Sequence, residues 1–263
     1  MIFLGQSEAP LLIQSYLSRL TRSELFAVMT AGFASVAGST LVGYALLGAP
    51  LPYLLAASVM NAPASLYIAK MMFPETEESE TQEGVRDVRD TESANVIDAT
   101  ARGALNGGKI AVIVGCLLIA FISLIALANG LLGGVGEWFG YDDLTFQKLL
   151  GWALAPVAWL IGVPWNEAEE AGSYIGLKTV LNEFVAYAEF GPNVDKLSEQ
   201  TVVVTTFALA GFANFASIAI QIGSIGGLAP DRRGDVAQLG LKALLAGSMV
   251  NLSNAAIAGV VAS

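Results

Sequence analysis

Histidine is missing from the 263-residue sequence and cysteine occurs once. The first absence removes the commonest general base and metal ligand. The second excludes a disulfide framework. Cys116 stands in an apolar run, where a small buried thiol is the plain expectation. Charge is scarce as well. Asp, Glu, Lys and Arg make up 14% of the residues, against about a quarter in soluble domains. There is no basic stripe and the net charge is −10, which argues against a nucleic-acid partner. No G-x-S-x-G and no paired acidic metal ligands on one helix occur. An intramembrane hydrolase would lack its nucleophile and base, so the chain does not read as an enzyme. The start, MIFLGQSEAP, is too short for a signal peptide and has no basic region.

Apolar residues are abundant: 54% of the chain is hydrophobic and the mean hydropathy is +0.61. Seven apolar stretches can be drawn: Leu25–Leu47, Leu51–Phe73, Ile110–Leu132, Leu149–Val163, Ala171–Ala188, Val202–Ile222 and Leu239–Ala262. A spanning helix needs about 20 residues. The fourth stretch is too short and holds Pro156, while the fifth holds Lys178, Asn182 and Glu183. Together they read as a re-entrant hairpin, whose tip must be surrounded by protein or water. Gly5–Leu17 reads as the second half of a similar hairpin. The expected fold is an all-α polytopic membrane protein, an inverted repeat with re-entrant hairpins and broken transmembrane helices.

Four segments follow. Residues 1–73 hold the half-hairpin and two transmembrane helices of a first repeat. Residues 74–108 form a polar, acid-rich loop and a short interfacial helix over 94–108. Residues 109–135 are a scaffold transmembrane helix. Residues 144–263 hold the second hairpin and two more transmembrane helices. If stretches one, two, three, six and seven cross, ten of the thirteen basic residues fall on one side. Arg19, Arg22, Arg86, Arg89, Arg102, Arg232 and Arg233 are among them, and Lys70, Lys109 and Lys242 flank it. By the positive-inside rule that side is cytoplasmic. Two full spans in place of the hairpin would give the same sidedness.

An internal likeness supports the repeat. GFASVAGS at 32–39 resembles GFANFASI at 211–218. Each has a carboxylate upstream, Glu8 and Glu183, and an Ala-Pro downstream, Ala49-Pro50 and Ala229-Pro230. On the crossing order above the two GFA helices run in opposite directions. Inverted repeats, broken helices and a midplane site mark secondary transporters. A carboxylate in a membrane costs at least about 2.5–3.5 kcal/mol on insertion scales, so Glu8 and Glu183 call for a ligand or partner. They are expected to face each other across a central site. Asn214 and Ser217 share one helix face, and carbonyls freed near Gly32 and Gly211 suit a hard cation. Ser39, Thr40, Ser58 and Asn61 are better read as bonds between helices. Glu24, near Arg22, reads as a solvated helix-end charge. Trp152, Trp159 and Trp165 read as interfacial or packing aromatics.

These stretches resemble the concentrative nucleoside transporter family. GQSEAP is similar to its G-Q-T-E-A-P. LTRSELFAVMTAGFASVAGSTL, ASVMNAPASLYIAKMMFPETE, VLNEFVAY and GFANFASIAIQIGSIGGLAPDRR resemble family signatures in the family's order. The likeness covers nearly the whole chain, as the C-terminal two-thirds of such a protein. It implies a nucleoside symporter of the plasma membrane, coupled to sodium in preference to a proton, and a homotrimer embedded in the lipid bilayer. It places Gln6, Ser7 and Glu8 against the nucleobase, and Glu183, Asn214 and Ser217 against the ribose. Sodium would meet the Leu4 backbone, Ser35 and the Val36 backbone. Ser7 stands where many members have Thr, and Met1 where the pattern has an asparagine ligand for the cation. The rival reading is a non-transporting fragment or nucleoside-binding sensor.

Overall fold

A computed structural model describes residues 4–79, 95–138, 140–141 and 144–262. Among the described residues there are helices and no strands. Met1–Glu83 and Phe146–Ser263 form one compact unit, and Gly84–Thr145 a second.

In the first unit, two single turns, α1 (Ala9–Leu12) and α2 (Gln14–Leu17), lead to α3 (Arg22–Ala34). A capping box starts α3. The Thr21 Oγ1 accepts from the Glu24 N–H at 3.1 Å, and the Glu24 carboxylate accepts from the Thr21 N–H at 2.9 Å. Glu24 is therefore not the solvated charge expected: its carboxylate closes a helix end, satisfying donors that would otherwise be orphaned. Leu25, Phe26, Met29 and Phe33 are all fully enclosed, as in a helix apolar on every side and packed within protein. Helix α3 stops at Ala34. Ser35 and Ala37 are extended, and α4 (Gly38–Leu46) resumes the helix after this break. Pro50 and Pro52 open α5 (Leu51–Met72), where a missing N–H leaves no gap.

The second half begins with α7 (Phe146–Leu160) and α8 (Trp165–Val180), bent by 116°. Gly162, at φ +108°, turns the chain and Pro164 prevents α7 from continuing. The expected hairpin joined stretches four and five at this bend. A further break lies inside the fifth stretch. Leu181 ends α8, and the Asn182 Oδ1 accepts from the Val185 N–H at 3.0 Å to start α9 (Glu183–Phe190). The sixth stretch is broken too, into α10 (Glu199–Leu209) and α11 (Phe215–Leu228). Asn214 caps α11 with a side-chain bond to the Ser217 N–H. Helix α12 (Arg233–Ala262) packs against α3, α5, α10 and α11, so both broken segments rest on it. Among the described residues, three helical segments are long and apolar enough to cross a membrane: Arg22–Leu46, Leu51–Met72 and Pro230–Ala262, or four if the bent α7–α8 pair is one span.

The second unit holds α6 (Val96–Trp138), 43 residues without a break. The separate interfacial helix expected over 94–108 is not there, because Gly107 and Gly108 sit inside one continuous helix. Glycine is well tolerated in membrane helices. Cys116 is exposed rather than buried, since an apolar run does not say which of its faces meets protein. Arg86 and Arg89 lie outside the described residues, as does most of the acid-rich run at 74–93.

The polar end of α3 is clamped to the end of α5. Thr21 Oγ1 donates to Glu75 at 2.8 Å and Lys70 Nζ donates to it at 3.0 Å. Ser23 receives Lys70 Nζ at 2.7 Å and donates to the Phe73 carbonyl at 2.7 Å. Desolvation pushes the Glu75 carboxyl up, but the Thr21 and Lys70 hydrogen bonds outweigh it and hold it below its ordinary value. A carboxylate depressed in the fold stabilises above its unfolded pKa and loses that contribution as pH falls through its folded one. Thermal stability in detergent should therefore fall on acidification, and Glu75→Gln should flatten the acid limb. Parallel acid limbs for the two proteins would refute the clamp.

Candidate functional site

The break before α9 places a carboxylate at a helix start. Glu183 is the first residue of α9, where the helix dipole favours a negative charge. It is 4% exposed. Oε1 accepts from the Tyr44 hydroxyl at 3.1 Å, and Oε2 accepts from Asn214 Nδ2 at 3.1 Å. Asn214 does two jobs. Its Oδ1 caps α11 by accepting the Ser217 N–H at 2.9 Å, which aims its amide nitrogen at Glu183. Ser217 Oγ then accepts from Gln6 Nε2 at 2.9 Å. One buried chain of polar groups thus joins the GQSE tip, the break of the second GFA segment, the start of α9 and α4.

Sequence-expected residues separate into groups here. Gln6, Glu183, Asn214 and Ser217 are buried and linked by these bonds. Ser7 is exposed. Glu8 is half-buried, and its Oε2, turned back against Gly5, has no hydrogen-bond partner. Gln6 Oε1 also has none. These two buried oxygens can accept from donors on a ligand. Leu4 is half-buried, and Ser35 and Val36 are buried. A Cβ on Gly5 would stand 3.3 Å from that of Ala37, so the tip and the α3 break lie side by side. Met1 lies outside the described residues.

Sequence reasoning missed two residues. Tyr44 stacks on Tyr187 with ring centroids 4.5 Å apart and meets Phe184 edge-on at 4.7 Å, which holds its hydroxyl against Glu183. Gln221 is 1% exposed, and its Nε2 donates to the Met29 carbonyl at 3.0 Å. Gln221 continues the α11 face of Asn214 and Ser217 at i+7 and i+4, a spacing that was readable.

The two GFA segments meet each other. The Phe212 N–H donates to the Ser35 carbonyl at 3.3 Å. Asn251 Nδ2 of α12 lies 3.0 Å from the Ala34 carbonyl and 2.9 Å from the Ala210 carbonyl, so one amide serves both breaks. Asn61 Nδ2 also donates to the Ala210 carbonyl at 2.8 Å, the interhelical role expected for it. A Cβ on Gly211 would strike Asn251 and stand 2.7 Å from the Ala34 carbonyl. Only glycine lets the second break come this close.

An all-helical membrane fold with polar groups gathered where its helices break belongs to the class of secondary transporters. The comparisons narrow the class. Residues 53–259 match the family model described as Na+ dependent nucleoside transporter C-terminus. The chain belongs to that family. It is 56% identical to an uncharacterized transporter, YutK, of Bacillus subtilis, over 98% of this chain and 64% of that protein. It is 46% identical to the nucleoside permease NupC of Helicobacter pylori, over 98% and 62%. The chain therefore spans somewhat less than two-thirds of these relatives. Among solved structures it resembles CNTnw in an inward-facing substrate-bound state, with TM-score 0.91 and 54% identity, over 98% of this chain and 62% of that one.

Proposed function

We propose that the chain is the substrate- and cation-binding part of a nucleoside symporter, with sodium rather than a proton as the coupling ion. The observation that carries this reading is the buried chain Gln6–Ser217–Asn214–Glu183–Tyr44 at the helix breaks of a nucleoside transporter family member. Ribose hydroxyls are donors and acceptors without charge, and Glu183, Asn214 and Ser217 offer matching groups. Gln6, Ser7 and Glu8 meet the base, and the partnerless oxygens of Gln6 and Glu8 suit its N–H edges. Leu4 and Val36 carbonyls and the Ser35 hydroxyl are hard oxygen donors, which suit sodium.

Coupling follows from linkage. The cation orders the tip that carries Gln6, Ser7 and Glu8, so nucleoside binds better, and nucleoside must tighten the cation by the same factor. The fourth and fifth stretches, Leu149–Val163 and Ala171–Ala188, act as the second re-entrant hairpin and move with the substrate. The protein works as a homotrimer in the plasma membrane, with its basic loops cytoplasmic. The test is uptake of radiolabelled uridine and adenosine by cells expressing the protein, with and without a sodium gradient at fixed pH. Sodium-driven accumulation is expected. Accumulation that ignores sodium and collapses with the proton gradient would move coupling to a carboxylate. No uptake of either nucleoside would refute the substrate.

A further inference from the structure

Four arginines meet at one corner of the first unit. Arg232, in the turn before α12, reaches the joint between α2 and α3. Its Nη1 donates to the carbonyls on either side of Arg19, those of Ser18 at 3.4 Å and Leu20 at 2.5 Å. Asp235 pairs with Arg232 at 3.1 Å and with Arg22 at 3.5 Å. Arg22 also donates to Gln238 Oε1 at 3.1 Å, and Ser18 Oγ donates to Asp231 at 3.1 Å. Asp231 and Asp235 are thus both engaged within the joint. Glu24 and Glu75, past Thr21, are held in the capping box and the clamp.

Two charges are left over. Arg19 and Arg233 are exposed, and among the described residues neither guanidinium has a carboxylate partner. Arg233 is held by its stem. A Cβ on Gly226 would stand 2.9 Å from its Cγ, so this glycine lets the side chain lie against α11. Uncompensated guanidinium groups attract an anion, and their planar fork matches two phosphate oxygens. The surface beyond the charge is apolar. From Arg233 an exposed ridge of α12 continues at every fourth residue through Ala237, Leu241, Leu245 and Met249. Val236, Leu239, Gly240, Ala243 and Leu244 form the buried side of the same helix. At the helical rise the ridge is about 24 Å long, more than the roughly 15 Å of one hydrocarbon leaflet.

We propose that this corner binds an anionic phospholipid. Arg19 and Arg233 take the headgroup phosphate, and an acyl chain lies along the ridge at 237–249. A soluble phosphate would use the charge and leave the apolar ridge bare. A zwitterionic lipid would bring a cation of its own to the arginines. An anionic lipid matches both surfaces, as headgroups do in basic pockets between membrane helices. Its headgroup bridges the α2–α3 joint and α12, and so braces the corner from which α1 and α2 lead back to the GQSE tip. The proposal takes the orientation given above, with this side cytoplasmic, and adds a partner there.

The experiment titrates the protein, purified in neutral detergent, with dioleoyl phosphatidylglycerol or dioleoyl phosphatidylcholine. Thermal unfolding reports stabilisation and native mass spectrometry reports bound lipid. Phosphatidylglycerol should raise the unfolding midpoint saturably, and phosphatidylcholine should not. The double change Arg19→Ala with Arg233→Ala should weaken phosphatidylglycerol binding by about tenfold or more, the effect of losing charge-assisted bonds to phosphate, and leave the lipid-free midpoint in place. Leu241→Ser with Leu245→Ser should weaken it through the chain instead. Inorganic phosphate and glycerol 3-phosphate separate the two sources of the anion. If either stabilises as well as phosphatidylglycerol, the corner is a phosphate site and the lipid proposal falls. Equal binding of the two lipids would overturn it, as would phosphatidylglycerol binding unchanged in the arginine double variant. If that variant does not fold, competition between the two lipids for the unsubstituted protein decides, and no preference overturns the proposal. The readouts involve neither transport nor sidedness. Failure to carry nucleosides would sink the substrate reading and leave this result standing.

Discussion

Glu183→Ala should lower nucleoside uptake by on the order of a hundredfold or more. Hydrogen bonds to a charged group contribute about 1.5–3 kcal/mol each, and the two that the proposed ribose contact would make give at least about 3 kcal/mol, where each 1.4 kcal/mol is tenfold. The loss also reaches neighbouring groups. Without the carboxylate, Asn214 Nδ2 and the Tyr44 hydroxyl lose the acceptor that orients them. Glu183→Gln should fall between wild type and Ala. Tyr44 and Asn214 donate to different carboxylate oxygens, and an amide sets its NH2 in place of one of them, so one donor loses its acceptor. Tyr44→Phe keeps the ring contacts with Tyr187 and Phe184 and removes one donor, so about a tenfold loss is expected. The measurement is initial uptake against nucleoside concentration, repeated across sodium concentrations. Because binding and coupling are linked, Glu183→Gln should weaken the dependence on both. Cation-dependent uptake that is unchanged in Glu183→Gln would remove the residue from the site.

Burial of Glu183 was legible because a carboxylate in an apolar chain is expensive and calls for a partner, the shared face of Asn214 and Ser217 from their spacing, and Gln6 only through the family likeness. The GFA likeness located both helix breaks. Tyr44 was not legible, since an aromatic residue in an apolar run looks the same whether its hydroxyl meets a carboxylate or a neighbouring backbone. The second break of the fifth stretch was signalled by Asn182 before Glu183, a helix-start pattern, but a hydropathy window averages over it. T-R-S-E at 21–24 was likewise a capping-box sequence, and reading Glu24 through its charge concealed that. Helix α6 shows the opposite problem. Apolar content identifies a membrane helix without saying where it starts or which face is covered, so the 94–108 segment and Cys116 were both misplaced.

Asn251→Leu should be among the most destabilising single changes in the chain, while Asn254→Leu, one turn further along α12, should be mild. The difference lies in what each leaves behind. Asn254 makes one bond, Nδ2 to Asn61 Oδ1 at 2.8 Å, and its loss should cost about 1 kcal/mol. Asn251 is wholly enclosed. Its nitrogen lies within reach of the carbonyls of Ala34 and Ala210 and of Asn61 Oδ1, and its oxygen receives Lys178. Leucine would leave the buried Lys178 ammonium with the Ala208 carbonyl alone and take the shared donor from two helix ends. Removing one partner of a buried charge costs about 3–5 kcal/mol. The branched side chain must also fit against Gly211, where a Cβ already finds no room. Asn251→Asp keeps an acceptor for Lys178 and loses the donors, so it should retain part of the stability while the breaks loosen. Thermal unfolding in detergent, followed by tryptophan fluorescence, should rank Asn254→Leu above Asn251→Asp and Asn251→Leu last. If Asn254→Leu and Asn251→Leu unfold together, the two helix breaks are held by packing rather than by this amide.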